Sequence, residues 1–337
     1  MKYTRLGNTG LEVSRICLGC MSYGNTGTGI NERPWTLSEE ESRKFIKLAL
    51  DNGVNYFDLS NNYSDGDSER IVGRAIKDFV RRDDVVIADR VFAPMRPVPN
   101  GMGLSRKAIM TEIDDSLMRL GTDYIDIYEI GRFDYNTPLE ETLEALNDLV
   151  KAGKVRYLGA STMYAWQLMK AIGIQKANGW HRFVVMENYY NLLYREEERE
   201  MLPLCESEGI GVTPWSPLAR GRLTRPWADG VQTTERGKTD AHASQLNITT
   251  NLDKPVVDRL AEIAEKRGVP MAQIALAWLL SKSVITSPIV GATKEQHIKD
   301  AVEAVELELS EDEIAALEEF YKPHTSLNNY NFKLQAR

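Results

Sequence analysis

No uninterrupted apolar run in the 337-residue chain approaches the roughly 20 residues that a membrane-crossing helix requires. Met1 to Gly10 contains no apolar core of a secretion signal, so a cytoplasmic location is expected. Cysteine is scarce: Cys17, Cys20 and Cys205 are too few and too odd in number to pair completely within one chain, which suits a reducing compartment. Basic residues are in deficit, 41 Lys plus Arg against 49 Asp plus Glu, and the formal charge of -8 argues against a nucleic-acid partner. What is plentiful is ordinary core material, with 42% hydrophobic and 27% charged residues, enough for one large globular domain spanning residues 1 to 337. Cys17 and Cys20 are spaced as CxxC, but without a thioredoxin-like context they read as half-buried thiols at a strand end.

Short β-branched runs alternate with longer segments of helical spacing, the pattern of repeated βα units around a parallel sheet. Eight such runs are present: Ile16 to Gly19, Asn55 to Asp58, Val85 to Ala88, Tyr124 to Ile130, Val155 to Ala160, Phe183 to Glu187, Gly211 to Trp215 and Val284 to Ile289. Eight units predict an α/β fold, a (β/α)8 TIM barrel, whose chemistry sits at the C-terminal ends of the strands. Before the first run, Tyr3 to Leu6 and Leu11 to Ser14 flank Gly7-Asn8-Thr9-Gly10 and predict a β-hairpin that plugs the barrel floor. Thr137-Pro138 with Glu140 reads as a capping box with proline at the first helical position, and Ser105 opens another helix. From Pro217 to about Lys254 the periodicity fails, predicting a long loop after the seventh strand, and residues 323 to 337 read as a loose tail.

After the second run the chain reads Phe57-Asp58-Leu59-Ser60-Asn61-Asn62-Tyr63, followed by a helical segment. This stretch resembles the aldo-keto reductases, marked by a strand-end Asp with a Tyr five residues on. The resemblance extends in family order through Leu18 to Met21, Ser116 to Asp126, Gly153 to Ser161, Trp215 to Gly221 and Pro288 to Lys294. The nearest look-alikes by this reading are bacterial members of the branch that holds the potassium-channel β subunits. The resemblance implies that Tyr63 gives a proton to a carbonyl oxygen while NADPH supplies hydride, and that Asp58 holds a cation lowering the phenol's pKa.

Two positions depart from the family pattern. Arg90, beside Asp89, stands in the place of the catalytic Lys, and Gly131 stands in the place of the His that positions the carbonyl. Arg90 keeps positive charge, with Asp58 or Asp89 as its expected bidentate partner, but is not expected to lose a proton in a relay. None of the four histidines, His181, His242, His297 and His324, adjoins Gly131 in sequence, although His242 lies in the long loop.

The same resemblance assigns an NADP(H) site. Gly291, Thr293 and Lys294 lie between the last strand and its helix, where amide donors and a lysine suit a phosphate, and His297 and Asp300 follow on that helix. Trp215 matches the ring that stacks on nicotinamide; Ser216, Leu218, Arg220 and Gly221 match the pyrophosphate loop. Ser161 and Thr162 match carboxamide contacts, and Gly19, Met21 and Asp58 complete the set. Glu187 replaces the family's Gln and Tyr189 a common His, while Ala301 lacks the family's Asn. An ionised Glu187 would stabilise positive charge and hence the oxidised nicotinamide.

The expected function is an NADP(H)-dependent oxidoreductase with an atypical proton-transfer site, acting on a small polar carbonyl, imine or alcohol, with catalytic residues Asp58, Tyr63 and Arg90 and no metal. A non-reducing lyase or epimerase using Asp89, Arg90, Glu187 and Tyr63, and a cofactor-binding pseudoenzyme, are the alternatives. The partner is a small molecule; oligomeric state and substrate lie in loop shape and are not legible.

Overall fold

The computed structural model describes residues 1–24, 29–31, 33–227 and 251–327. A hairpin opens the chain: strands β1 (Tyr3–Arg5) and β2 (Glu12–Ser14) pair antiparallel. Then follow β3 (Cys17–Gly19), β4 (Tyr56–Asp58), β5 (Val86–Val91), β6 (Ile125–Ile130), β7 (Val155–Ser161), β8 (Phe183–Glu187), β9 (Gly211–Val212) and β10 (Ile289–Gly291). These eight are parallel in the order β10-β3-β4-β5-β6-β7-β8-β9. A Val212–Ile285 bridge closes the ring, together with the Thr286 N–H donating to the Val212 carbonyl (2.8 Å) and the Ile289 N–H to that of Pro214 (2.9 Å). The TIM barrel with its N-terminal hairpin is therefore present.

The seventh run is shorter as a regular strand than the β-branched pattern predicts, and the eighth is both shorter and later. Pro214 and Pro288 explain this, since a proline has no amide hydrogen to give to a ladder. Inside the ring, Cys17, Tyr56, Val86, Ala88, Ile127, Val185 and Ile289 form one apolar cluster with Leu6 and Val13 of the hairpin. The hairpin thus plugs the floor, as its sequence predicts. Cys17 and Cys20 are completely buried rather than half-buried, and free.

Around the ring pack α1 (Glu39–Asp51), α2 (Asp67–Phe79), α3 (Arg106–Leu120), α4 (Leu139–Lys151), α5 (Ala165–Asn178) and α6 (Met201–Glu208). They are followed by α7 (Lys254–Arg267), α8 (Met271–Leu280), α9 (Glu295–Ala304) and α10 (Glu311–Glu318). Ser105 caps α3, its hydroxyl accepting from the Ala108 N–H at 3.2 Å. Ser105→Ala is expected to lower unfolding stability by about 1 kcal/mol, read from the urea midpoint. The capping box at Thr137 does not form: the Thr137 hydroxyl donates instead to Asp134 (2.9 Å), and Pro138 occupies the cap itself, one position earlier than predicted. Asp134 outcompetes the helix because it lies within the same tight turn, also accepting the Asn136 N–H.

Most of the loop at 217 to 254 lies outside the described residues, as does His242. The expected loose tail is fastened as far as residue 327. The Tyr321 hydroxyl and the His324 N–H both donate to Glu196 (2.6 and 2.9 Å), His324 Nε2 pairs with Asp253 (2.9 Å), and the Leu327 N–H donates to the Tyr194 hydroxyl (2.9 Å). Buried polar partners on other elements hold a segment whose own sequence has no periodicity. Among the described residues no helix is long and apolar enough to cross a membrane.

Candidate active site

Side chains alternate across a strand, so Arg90 shares the inward face of β5 with Ala88, and Glu129 that of β6 with Ile127. Asp58 and Glu187 end β4 and β8. Tyr63 comes from the β4–α2 turn, where Ser64, Asp65 and Gly66 follow with φ of 50°, 52° and 86°. All the non-glycine residues with positive φ among those described (Ser64, Asp65, Asn100, Thr162, Ser216, Ala219 and Arg220) lie in loops that leave the C-terminal ends of strands. Left-handed backbone at a side chain with a Cβ costs energy and concentrates where function fixes the geometry.

These residues converge on one guanidinium. Arg90 Nη1 pairs with Asp58 Oδ1 at 3.0 Å and with Glu187 Oε2; Nη2 donates to Asp58 Oδ2 at 3.3 Å and to the Tyr63 hydroxyl. Glu129 Oε2 lies 3.7 Å from Nη1 and makes no hydrogen bond. One oxygen each of Asp58, Glu129 and Glu187 lies within 4.8 Å of the others, and all five side chains are buried. The predicted trio of Asp58, Tyr63 and Arg90 is thus brought together.

Of the two carboxylates expected as the bidentate partner of Arg90, Asp58 takes that place, and two further expectations about this group are corrected. Asp89 is not a partner of the Arg90 side chain; it faces outward, where its carboxyl meets that of Glu69, and its Oδ1 accepts the Arg90 backbone N–H at 2.9 Å. Burial, and after it the Glu69 carboxyl that Arg119 clamps at 2.5 Å, push the Asp89 carboxyl well up. Glu187 is not free to face a carboxamide alone, because Arg90 engages it. The Tyr63 phenol is raised above its ordinary value rather than drawn down: burial raises it, Arg90 lowers it less, and Asp58 adds to the rise. The cation is surrounded by carboxylates, so little of its field is left for the phenol.

Glu129 is the residue that the motif reading missed. Its carboxyl is pushed up to about 8, by burial and by Asp58 acting against Arg90. Burial likewise raises Asp58, with Arg90 opposing. The signal was a glutamate at an inward position of Ile125-Asp126-Ile127-Tyr128-Glu129-Ile130, whose other inward residues are apolar. A carboxyl that ionises at about 4.5 unfolded and about 8 folded keeps its proton longer in the native state. Its contribution to stability is therefore intact at or below about 4.5, falls as pH rises through about 8, and is constant above. The urea midpoint of wild type relative to Glu129→Gln is expected to decline across that window.

At Gly131 a Cβ would meet only Phe92 Cβ (3.3 Å) and the Val91 carbonyl (3.4 Å). No described histidine fills this place: His181 Nδ1 contacts Asn147 (3.0 Å), His324 contacts Asp253, and His297 lies on α9.

The cofactor set lies on the same rim. Ser161 and Thr162 are buried at the end of β7 with hydroxyls 3.2 Å apart, and the Trp215 indole N–H donates to the Thr162 hydroxyl at 3.2 Å. Trp215 also packs on Tyr189, ring centroids 4.6 Å apart, and Asn191 donates to the Ser216 carbonyl at 3.1 Å. Leu218, Arg220 and Gly221 form the next turn, Gly221 with φ of 89°. Gly19 closes β3 against Ile289, where a Cβ would lie 2.8 Å from a side-chain carbon, and Met21 follows half-exposed. Gly291 ends β10, and Thr293 and exposed Lys294 lead into α9. Asp300 is committed to Gln273 (3.1 Å) and Gln296 (2.8 Å).

A dinucleotide phosphate fits this rim. His297, held below its ordinary value by burial, is lowered further by Lys294, with Asp300 opposing, and by Arg225 from the loop after β9, so positive groups from two loops meet at one helix start. An anion there would relieve the repulsion and meet the amides of α9.

Such a barrel, with an Asp–Tyr–cation group at its mouth and a basic turn after its last strand, belongs to a known class. Residues 15–322 match the aldo/keto reductase family, and this chain belongs to it. The chain is 44% identical over 343 residues to versiconal hemiacetal acetate reductase of Aspergillus parasiticus, covering 96% of this chain and 98% of the relative. It is 41% identical to an aldo-keto reductase of Fusarium vanettenii over 345 residues (95% and 91%) and 40% identical to the aldo-keto reductase dtxS3 of Metarhizium robertsii over 346 residues (95% and 91%). Membership brings with it the general NADP(H)-dependent oxidoreductase activity typical of aldo-keto reductases.

Proposed function

We propose that this protein is an NADP(H)-dependent oxidoreductase with a rebuilt proton-transfer site, acting on a small polar molecule at a carbonyl, imine or alcohol carbon. The observation that carries this reading is the meeting of Tyr63 with Arg90 and Asp58 at the same strand ends that hold the phosphate-suited turn. Gly291, Thr293, Lys294 and His297 would hold the adenosine end of the cofactor, Leu218 to Gly221 the pyrophosphate, and Ser161, Thr162 and Trp215 the nicotinamide, which when bound exchanges a hydride with the substrate carbon. Tyr63 is the proton donor or acceptor, Arg90 keeps its hydroxyl oriented, and Asp58 anchors Arg90.

Arg90 is kept charged: burial opposes its charge, but Asp58, Tyr63 and Glu129 outweigh that. It therefore steers the phenol without passing a proton on. The non-redox reading loses support because Asp89, one of its acid–base groups, points away from the mouth.

A fluorescence titration tests the cofactor. NADPH is expected to bind wild type, and Lys294→Ala to weaken it by about tenfold, or about 1.4 kcal/mol, with little effect on NADH. The same titration tests the charge of the mouth, whose carboxylates favour the oxidised nicotinamide: NADPH binding much tighter than NADP+ counts against that part of the reading.

A further inference from the structure

We propose that the mouth of this barrel selects substrates whose reacting carbon is bonded to a positively charged nitrogen, an iminium reduced to an amine or the reverse, and that Glu129 sets this preference. The proposal rests on the oxidoreductase reading above and names its substrate class.

The first ground is charge. Asp58, Glu129 and Glu187 present three carboxyl groups to a single guanidinium, all at most 3% exposed. The second is geometry. Arg90 directs its terminal nitrogens to Asp58, Glu187 and Tyr63, leaving Glu129 Oε2 at 3.7 Å, beyond hydrogen-bond reach and with no other partner. An unpaired carboxylate oxygen in a buried site is expensive unless a cation or proton meets it. The third is Gly131, which directly follows β6 and carries no side chain at this strand end; a Cβ there would meet Phe92 Cβ at 3.3 Å and the Val91 carbonyl at 3.4 Å.

The reaction chemistry points the same way. Reduction of a carbonyl makes an alkoxide, which requires a proton, and here the nearby phenol is a weakened acid and the strand carries no imidazole. Hydride addition to C=N+ forms a C–H bond and moves the π electron pair onto nitrogen, so the cation becomes a neutral amine and no proton moves in that step. The hydride and its electron pair come from reduced nicotinamide. In the reverse direction positive charge develops on the substrate nitrogen, where buried carboxylates stabilise it. Phe133 and Tyr135 in the loop leaving β6 form an aromatic group with Trp166 in the first turn of α5, Phe133 and Tyr135 with centroids 4.9 Å apart, which makes an aromatic ammonium a suitable probe.

The test uses the full chain and two readouts. In calorimetry without added nucleotide, benzylammonium is expected to bind at least tenfold more tightly than benzyl alcohol, with proton release near pH 8, and Glu129→Gln to abolish both the preference and the release. In turnover with NADPH, N-methyl-3,4-dihydroisoquinolinium is expected to exceed benzaldehyde at least tenfold in kcat/KM, the ratio collapsing in Glu129→Gln. Equal binding of amine and alcohol, or a preference that survives Glu129→Gln, overturns the proposal. If neither compound consumes NADPH, the oxidoreductase reading fails, while the calorimetry still decides the preference for charge.

Discussion

Tyr63→Phe is expected to lower kcat for a carbonyl substrate by about 10²- to 10³-fold, the usual worth of a positioned acid–base group. The substitution keeps the buried ring and removes only the hydroxyl that accepts from Arg90 Nη2, which retains Asp58 as a partner. The fold is therefore expected to survive, with an unchanged unfolding midpoint, and the loss to fall on kcat rather than KM. For an iminium substrate the same variant is expected to lose less than about tenfold, since no proton enters that step. Steady-state rates on a converted carbonyl compound decide the matter: an unchanged kcat would remove Tyr63 from the mechanism.

The largest effect on stability is expected at Arg90. Arg90→Leu leaves Asp58, Glu129 and Glu187 crowded within 4.8 Å with no cation, and breaking a buried ion cluster from one side costs about 3–5 kcal/mol. Urea unfolding near pH 8 measures it. Near pH 5 the loss is expected to shrink, because Glu129, whose carboxyl burial pushes up to about 8, takes up its proton there and no longer repels. A loss below about 1 kcal/mol at pH 8 would mean that the cluster holds together by other contacts.

The barrel was legible because its signals are local: β-branched runs, helical spacing and the Gly7-Asn8-Thr9-Gly10 turn each report on a few neighbouring residues. The errors came where a competing polar partner, near or far along the chain, takes the group. Thr137 turns to Asp134 rather than capping α4, and His324 is held by Asp253 and Glu196 from elsewhere in the chain.

In the site, the motif resemblance gave Asp58, Tyr63 and Arg90, which the fold assembles. It did not give Glu129, because no motif marks it; only the inward alternation of β6 does. Nor did it give the sign of the Tyr63 shift, which depends on how many carboxylates share one guanidinium. Asp89 and Arg90 are adjacent in sequence yet face opposite sides of β5, so adjacency misled where the two-residue period would not have.

The hairpin below the ring has a kinetic consequence. Leu6 and Val13 close one end of an interior already packed with side chains, so everything that reacts must enter and depart through a single doorway. Whichever ligand sits deeper has to arrive first and leave last, and a lingering product blocks the next arrival.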